Sequence, residues 1–405
     1  MKRYVLKLIS FALAALLALG CCACALAAEA PDLRDAGGGI VGIAHRGDWT
    51  NAPENSIPAL LAAAQDGLTY VLADVSVTKD GVPVLLEGAS AKRMLGAEKE
   101  NTAELTLAEI SALPLKNRMG GKGSKATEYT VPTLAEALAA CKEAGITLVL
   151  QFDVSQAETI LAVPGAERCA LYPTGDNAAV LALARKTGKT QPVIAGRRSN
   201  IIFSVLSFFK KLRAADAAGA VLKTTNRFGV IYYPSTLKKC EGLRAIADLS
   251  DPHTAGARQD TEKWWDDLIG RGYGAIITDD PAAFAEYTLR NDAARARLQS
   301  LYDEVQTMDL PDLSRLKLSD YKKAYADALA DAEALLADRT AATVSLRDAY
   351  TALKNAVTAL ETNYEAIAAG TAERTVTLPR VLLCIGSAVA VFLAQLYFFK
   401  RRKKA

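Results

Sequence analysis

The chain holds only two histidines, His45 and His253. His45 closes an apolar run, GIVGIAH (39–45), and is followed at once by Arg46 and Gly47. An imidazole titrates near neutral pH and suits proton transfer, and a guanidinium beside it suits an anionic oxygen held through two N–H groups. Pro53-Glu54-Asn55-Ser56 follows and reads as a helix opening. Asp74 sits inside the apolar run Tyr70–Val77, where a carboxylate needs a cation or donors to be tolerated. Glu87 follows the turn Lys79-Asp80-Gly81, and Gln151 and Asp153 share one face of the run TLVLQFD (147–153), because strand side chains alternate. His253 follows ADLSDP (247–252), which places it in a loop after a late strand, as an exposed loop histidine.

The elements that must position these residues alternate. Short apolar runs recur from about residue 39 to 290: GIVGIAH, TLVLQFD, CALYP, PVIAG, AVLKTT, VIYYP, LRAIADL and GAIITDD. Between them lie helix-like segments such as SIPALLAAAQDG, TLAEALAACKEAG and DNAAVLALARKTG. Strand and helix repeated about eight times in about 250 residues predict an α/β fold, a TIM (β/α)8-type barrel, whose chemistry collects at the carboxyl ends of the strands. No glycine-rich dinucleotide fingerprint follows the first run, which argues against an open doubly wound sheet. Residues 201–215, IIFSVLSFFKKLRAA, read as an outer barrel helix, and Trp264 and Trp265 as packing residues. Residues 291–372 are charged and Ala-rich with helical period, predicting a bundle of about three helices broken near Pro311 and over Asp338–Thr343.

Several motifs stand in register across residues 40–290: HRG, PENS, DVSVTKDGVPV, LTLAEI (105–110), VPTLAEAL (131–138) and GAIITDDPAAF (274–284). Together they resemble the glycerophosphodiester phosphodiesterase family. The resemblance implies a TIM-type barrel that hydrolyses glycerophosphodiesters to an alcohol and glycerol phosphate. It also implies a divalent metal, two histidines as acid and base, and an arginine on the phosphate. His45 and Arg46 match the first catalytic histidine and the phosphate-binding arginine, and Glu54 and Asn55 match the family's Pro-Glu-Asn. Asp74 matches the second residue of the Glu-x-Asp metal pair, whose first position is Leu72 here. The family's His-Asp after the hairpin is Glu87-Gly88, its metal-binding Glu on the next strand is Gln151, and its basic residue two places later is Asp153. The implied catalytic group is therefore His45, Arg46 and Glu87, with Arg46, Glu54 and Asn55 on the substrate and Asp74, Gln151 and Asp153 toward a metal.

Two outcomes stay open. A rewired set of Asp74, Asp153 and Glu87 could hold Ca²⁺ or Mg²⁺, with Glu87 as the leaving-group acid if burial raised its pKa. Alternatively the site has lost metal and turnover and binds a phosphate-containing small molecule or polymer. A divalent cation is expected in the first case and none in the second.

The chain has 405 residues and a formal net charge of +3, with no basic stripe across its body, so no nucleic-acid partner is expected. Residues 1–28 read as a signal peptide, with a lipidated Cys21 as the alternative. The uncharged segment VLLCIGSAVAVFLAQLYFF (381–399), about 28 Å long as a helix, reads as a membrane span. The basic tail 400–405 keeps that end in the cytoplasm and the barrel outside, on a helical stalk. The stalk resembles FIVAR-type helical modules of bacterial surface proteins over about 50 residues. Of the seven cysteines, Cys141, Cys169 and Cys240 fall between signal and span, an odd number without zinc spacing.

Overall fold

The first apolar run forms strand β1, Val41–His45, and its neighbours in sequence repeat the pattern. In a computed structural model, residues 32–35, 38–198, 201–223, 229–250, 260–308 and 319–368 are described. The chain divides into two compact units, residues 1–288 and residues 289–405.

In the first unit eight parallel strands form one sheet: β1, β2 (Tyr70–Asp74), β5 (Thr147–Asp153), β6 (Ala170–Thr174), β7 (Ile194–Arg198), β8 (Gly219–Lys223), β9 (Arg244–Asp248) and β10 (Ala275–Thr278). β1 pairs with both β2 and β10, and β5 with β2 and β6. The ring closes at a parallel bridge between Leu171 and Val193, with the Leu171 N–H donating to the Pro192 carbonyl at 2.8 Å. This is the predicted TIM-type barrel. Its interior is filled by Ile43, Leu72, Val149, Val221, Ile246 and Ile277, an apolar core rather than a pore.

The outer helices start where the sequence supplies caps. Ser56 caps Ile57–Gln65, Asp176 caps Asn177–Thr187, and Thr133 with Glu136 forms a capping box on Leu134–Glu143. The segment at 201–215 gives helix Ile202–Arg213, which buries Val205, Phe208, Phe209 and Leu212 and leaves Phe203 exposed. Trp264 and Trp265 are both buried on helix Glu262–Arg271.

Two local expectations need adjustment. The turn at Lys79-Asp80-Gly81 does join an antiparallel hairpin, β3 (Ser76–Val77) and β4 (Pro83–Val84), but β2 ends before it, at Asp74. VIYYP is not a strand. Val230–Tyr232 is a 3₁₀ turn, and Pro234 then opens a short helix. The run is apolar because Ile231 and Tyr232 are buried against Tyr273, whose hydroxyl donates to the Ile231 carbonyl at 3.2 Å.

At the amino-terminal end of the barrel, Arg244 is almost wholly buried. It donates to the carbonyls of Leu33, Gly39, Gly274, Asp32 and Asp35, tying the segment before β1 to β9.

In the second unit, helices Ser319–Ala337 and Thr343–Ala368 share an apolar core with the later turns of helix Pro281–Thr307. Leu298, Val305, Ala332, Leu346 and Leu353 lie at its centre. No helix among the described residues is long and apolar enough to cross a membrane. The expected signal peptide, the span at 381–399, the basic tail and His253 all lie outside the described residues.

Candidate active site

β1 delivers His45 and Arg46 to the carboxyl end of the barrel, and the chain turns sharply there. Arg46 has φ +63°, and its N–H still bonds to the Leu72 carbonyl of β2 at 2.7 Å. Gly47 has φ +83°, and a Cβ there would run into the Ala59 carbonyl, so only glycine lets helix 57–65 approach. Asn55 is also left-handed, at φ +56°. Its N–H bonds to the Arg46 carbonyl at 3.0 Å. Two non-glycine residues in this region within one site mark stored backbone strain.

The strain is held by a two-point clip. Asn55 Nδ2 donates to Asp74 Oδ2 at 3.0 Å, and the Asp74 N–H donates to Asn55 Oδ1 at 3.0 Å. Gln151 Nε2 donates to Asp74 Oδ1 at 2.9 Å, and Arg46 Nε lies 2.6 Å from Asp74 Oδ2 as an ion pair without a well-aimed hydrogen bond. Arg46 Nη1 reaches both oxygens of Glu54 at 3.1 Å, and Nη2 lies 3.2 Å from Glu87 Oε2. Burial works against the Arg46 charge, but the carboxylates of Asp74, Glu54 and Glu87 outweigh it and hold its pKa above the ordinary arginine value.

A second guanidinium joins the set. Arg93, on the short helix Ala91–Leu95, places Nη2 2.6 Å from Glu54 Oε1 and 3.1 Å from Glu87 Oε2, and its Nη1 donates to the Met119 carbonyl. Glu54 is fully buried, whereas the Glu87 side chain is 45% exposed. Nothing in the spacing pointed to Arg93, because only the tertiary fold brings its helix to β1.

His45 is oriented from the other side. Its Nδ1 lies 2.8 Å from Asp279 Oδ1. With a carboxylate there Nδ1 carries the proton, which leaves Nε2 as the acceptor available to a substrate. Asp279 is held in turn by Asp260, whose Oδ2 accepts from the Asp279 N–H at 2.7 Å and from Thr278 Oγ1 at 2.6 Å, and whose Oδ1 accepts from Trp265 Nε1 at 2.6 Å. Burial raises the Asp260 pKa against the pull of those three donors. Asp279 was findable, since closure of a barrel sets the last strand beside the first. Ala44 pairs with Thr278, so the next residues, His45 and Asp279, are neighbours.

The remaining expected residues are placed apart from this set. The Asp153 carboxylate takes the Ser155 N–H at 2.9 Å and its hydroxyl at 2.6 Å, capping its own 3₁₀ turn, and those bonds hold its pKa below the usual carboxylate range. Leu72 packs in the barrel core. A cavity of about 390 Å³ opens among Tyr172, Thr174, Asn177, Phe208, Lys211 and Lys223, and none of its lining residues belongs to the His45–Arg46 set. Lys223 there forms a 2.8 Å ion pair with Asp248.

The donor set does not fit a divalent cation. Such a cation needs several carboxylate or carbonyl oxygens aimed at one point. Both oxygens of Asp74 and of Glu54 already face nitrogen donors, Gln151 presents its N–H₂ to Asp74, and Asp153 faces its own turn. Among the described residues no group of three or more His, Cys, Asp or Glu is arranged to hold a metal. The rewired set of Asp74, Asp153 and Glu87 is thus not assembled; Glu87 pairs with Arg46 and Arg93.

Fold and site together define an (α/β)8 barrel with a histidine and an arginine at its mouth. Residues 45–163 match the Glycerophosphoryl diester phosphodiesterase family. Glycerophosphodiester phosphodiesterase 1 of Homo sapiens is 35% identical over 116 residues, 28% of this chain and 34% of that protein. Glycerophosphodiester phosphodiesterase of Caldanaerobacter subterraneus is 36% identical over 94 residues, 23% and 37% of the two chains. The chain thus spans about a third of the length of these curated relatives. A solved phosphodiesterase of Oleispira antarctica, in complex with the product sn-glycerol-3-phosphate, aligns at TM-score 0.47 and 21% identity over 62% of this chain and 97% of that one. Glycerophosphodiester phosphodiesterase of Thermotoga maritima aligns at TM-score 0.46 and 18% identity over 61% and 97%.

Proposed function

We propose that the barrel mouth engages a glycerophosphodiester, or another small molecule or polymer carrying phosphate, and that its hydrolytic activity is weak or lost. The family match over residues 45–163 supports phosphodiester chemistry. His45, held by Asp279, and Arg46 supply a proton acceptor and an anion partner. The observation that carries the reduced activity is Asp74. It stands alone where the family pattern calls for several metal carboxylates, and its oxygens are filled by Asn55, Gln151 and Arg46. Losing members of a catalytic set that acts as a unit costs most of its rate. A non-catalytic surface module is the second reading, favoured by the same pairing.

The sequence at both ends supports an outward-facing barrel on a helical stalk, anchored by 381–399. Hydrolysis of glycerophosphocholine by the full-length chain, with and without Ca²⁺ or Mg²⁺, is the test. Turnover close to that of His45→Ala is expected, and metal-dependent turnover that His45→Ala abolishes would overturn the loss of activity. Extraction of the membrane fraction at high salt tests the anchor; release of the chain by salt alone would remove it.

A further inference from the structure

We infer that the Glu87 carboxylate is a built-in occupant of an anion site formed by Arg46 and Arg93, and that this site takes a phosphate oxygen when Glu87 swings out. The inference deepens the reading of the mouth as a phosphate site and rests on it.

The two guanidinium groups do not depend on Glu87 for their positions. Arg46 is pinned by Glu54 through Nη1 and by Asp74 through Nε. Arg93 is pinned by Glu54 Oε1 at 2.6 Å and by the Met119 carbonyl. Arg46 has a further nitrogen, Nη2, and Arg93 Nη2, which bonds Glu54, has a second N–H; the two nitrogens converge on the same atom, Glu87 Oε2, at 3.2 and 3.1 Å. Arg93 donates a hydrogen bond to this oxygen and Arg46 makes an ion pair with it, which together describe an oxyanion site; carboxylate and phosphate oxygens accept such contacts alike.

Glu87 differs from the other carboxylates in being displaceable. Its side chain is 45% exposed against 1% for Glu54. Its backbone is fixed independently, since the Glu87 carbonyl accepts from Ser90 N–H at 3.1 Å, Ser90 Oγ at 2.9 Å and Thr102 Oγ1 at 3.2 Å. The side chain can therefore rotate away without moving the loop. The charges agree. Arg46 and Arg93 face Glu54, Asp74 and Glu87, so the closed cluster carries one excess negative charge and repels a phosphate. With Glu87 rotated out, the cluster is balanced and two N–H donors are open.

The test is calorimetric titration of inorganic phosphate into the full-length wild type, Glu87→Ala, Glu87→Gln and Glu87→Ala with Arg93→Met. Removing the competing carboxylate should tighten phosphate binding by at least about tenfold, as expected for an uncovered charge-assisted bond of about 1.4 kcal/mol. Arg93→Met should abolish that gain. Equal phosphate affinity in wild type and both Glu87 variants overturns the inference, as does a gain that survives Arg93→Met. Glu87→Gln keeps the side-chain volume and covers the case in which the alanine variant misfolds. The two readings fail separately. Tighter phosphate binding without any diester turnover leaves the anion site standing and removes hydrolysis. Turnover with phosphate affinity unchanged by Glu87→Gln removes the occupied anion site and leaves hydrolysis.

Discussion

Asn55 is the residue on which the geometry of the mouth turns. It accepts a left-handed backbone, which asparagine tolerates better than most residues, and its side chain both gives to and takes from Asp74. Asn55→Ala would lose both bonds and leave a β-carbon in a strained conformation, so a destabilisation of about 3 kcal/mol is expected from urea unfolding. A change under about 0.5 kcal/mol, the range of ordinary surface substitutions, would contradict the clip. His45, Arg46 and Asp74 stood out by residue type and position, and Glu54 and Asn55 through the resemblance of the PENS motif to the family's. Arg93 and Asp260 did not, because each reaches the site by a side chain from an element with no periodic or motif signal. Gln151 shows the limit of reading by position: it stands where the family has a metal-binding Glu, and its N–H₂ donates to Asp74 Oδ1, taking up an oxygen that a cation would need.

Among the elements, the parallel strands were legible because buried strands read as continuous apolar runs, and the helices because Ser56, Thr133 and Asp176 announce their starts. VIYYP misled for the same physical reason: burial makes a run apolar whether the backbone is strand or 3₁₀ turn. Arg244 at the start of β9 is the element-scale feature that spacing could not supply. Its guanidinium satisfies five carbonyls from the segment before β1 and from Gly274, at the end of the barrel that serves stability rather than chemistry. Arg244→Met would leave those carbonyls unsatisfied and should cost about 3 kcal/mol or more in chemical denaturation. An unchanged midpoint would show that the segment before β1 is not tied through this side chain.

At the scale of the molecule, buried thiols report whether the first unit, residues 1–288, is closed. Burial pushes the Cys141, Cys169 and Cys240 thiols up to about 12 from the ordinary value of 9.0. A raised folded pKa means that the protonated native form is favoured. The stability contribution is full below the ordinary thiol value and is lost as pH rises from 9.0 toward about 12. Iodoacetamide at pH 8, followed by peptide mapping, should leave these three unlabelled in the native chain and label them after unfolding. Labelling of the native chain would contradict their burial.

The central claim is that arginines, not a metal, balance the carboxylates at the mouth. Calorimetric titration of Ca²⁺ and Mg²⁺ into the full-length chain, beside Asp74→Asn, measures it most directly. The account predicts no saturable binding that Asp74→Asn removes. A site that binds either cation in the wild type and is lost in Asp74→Asn would contradict it.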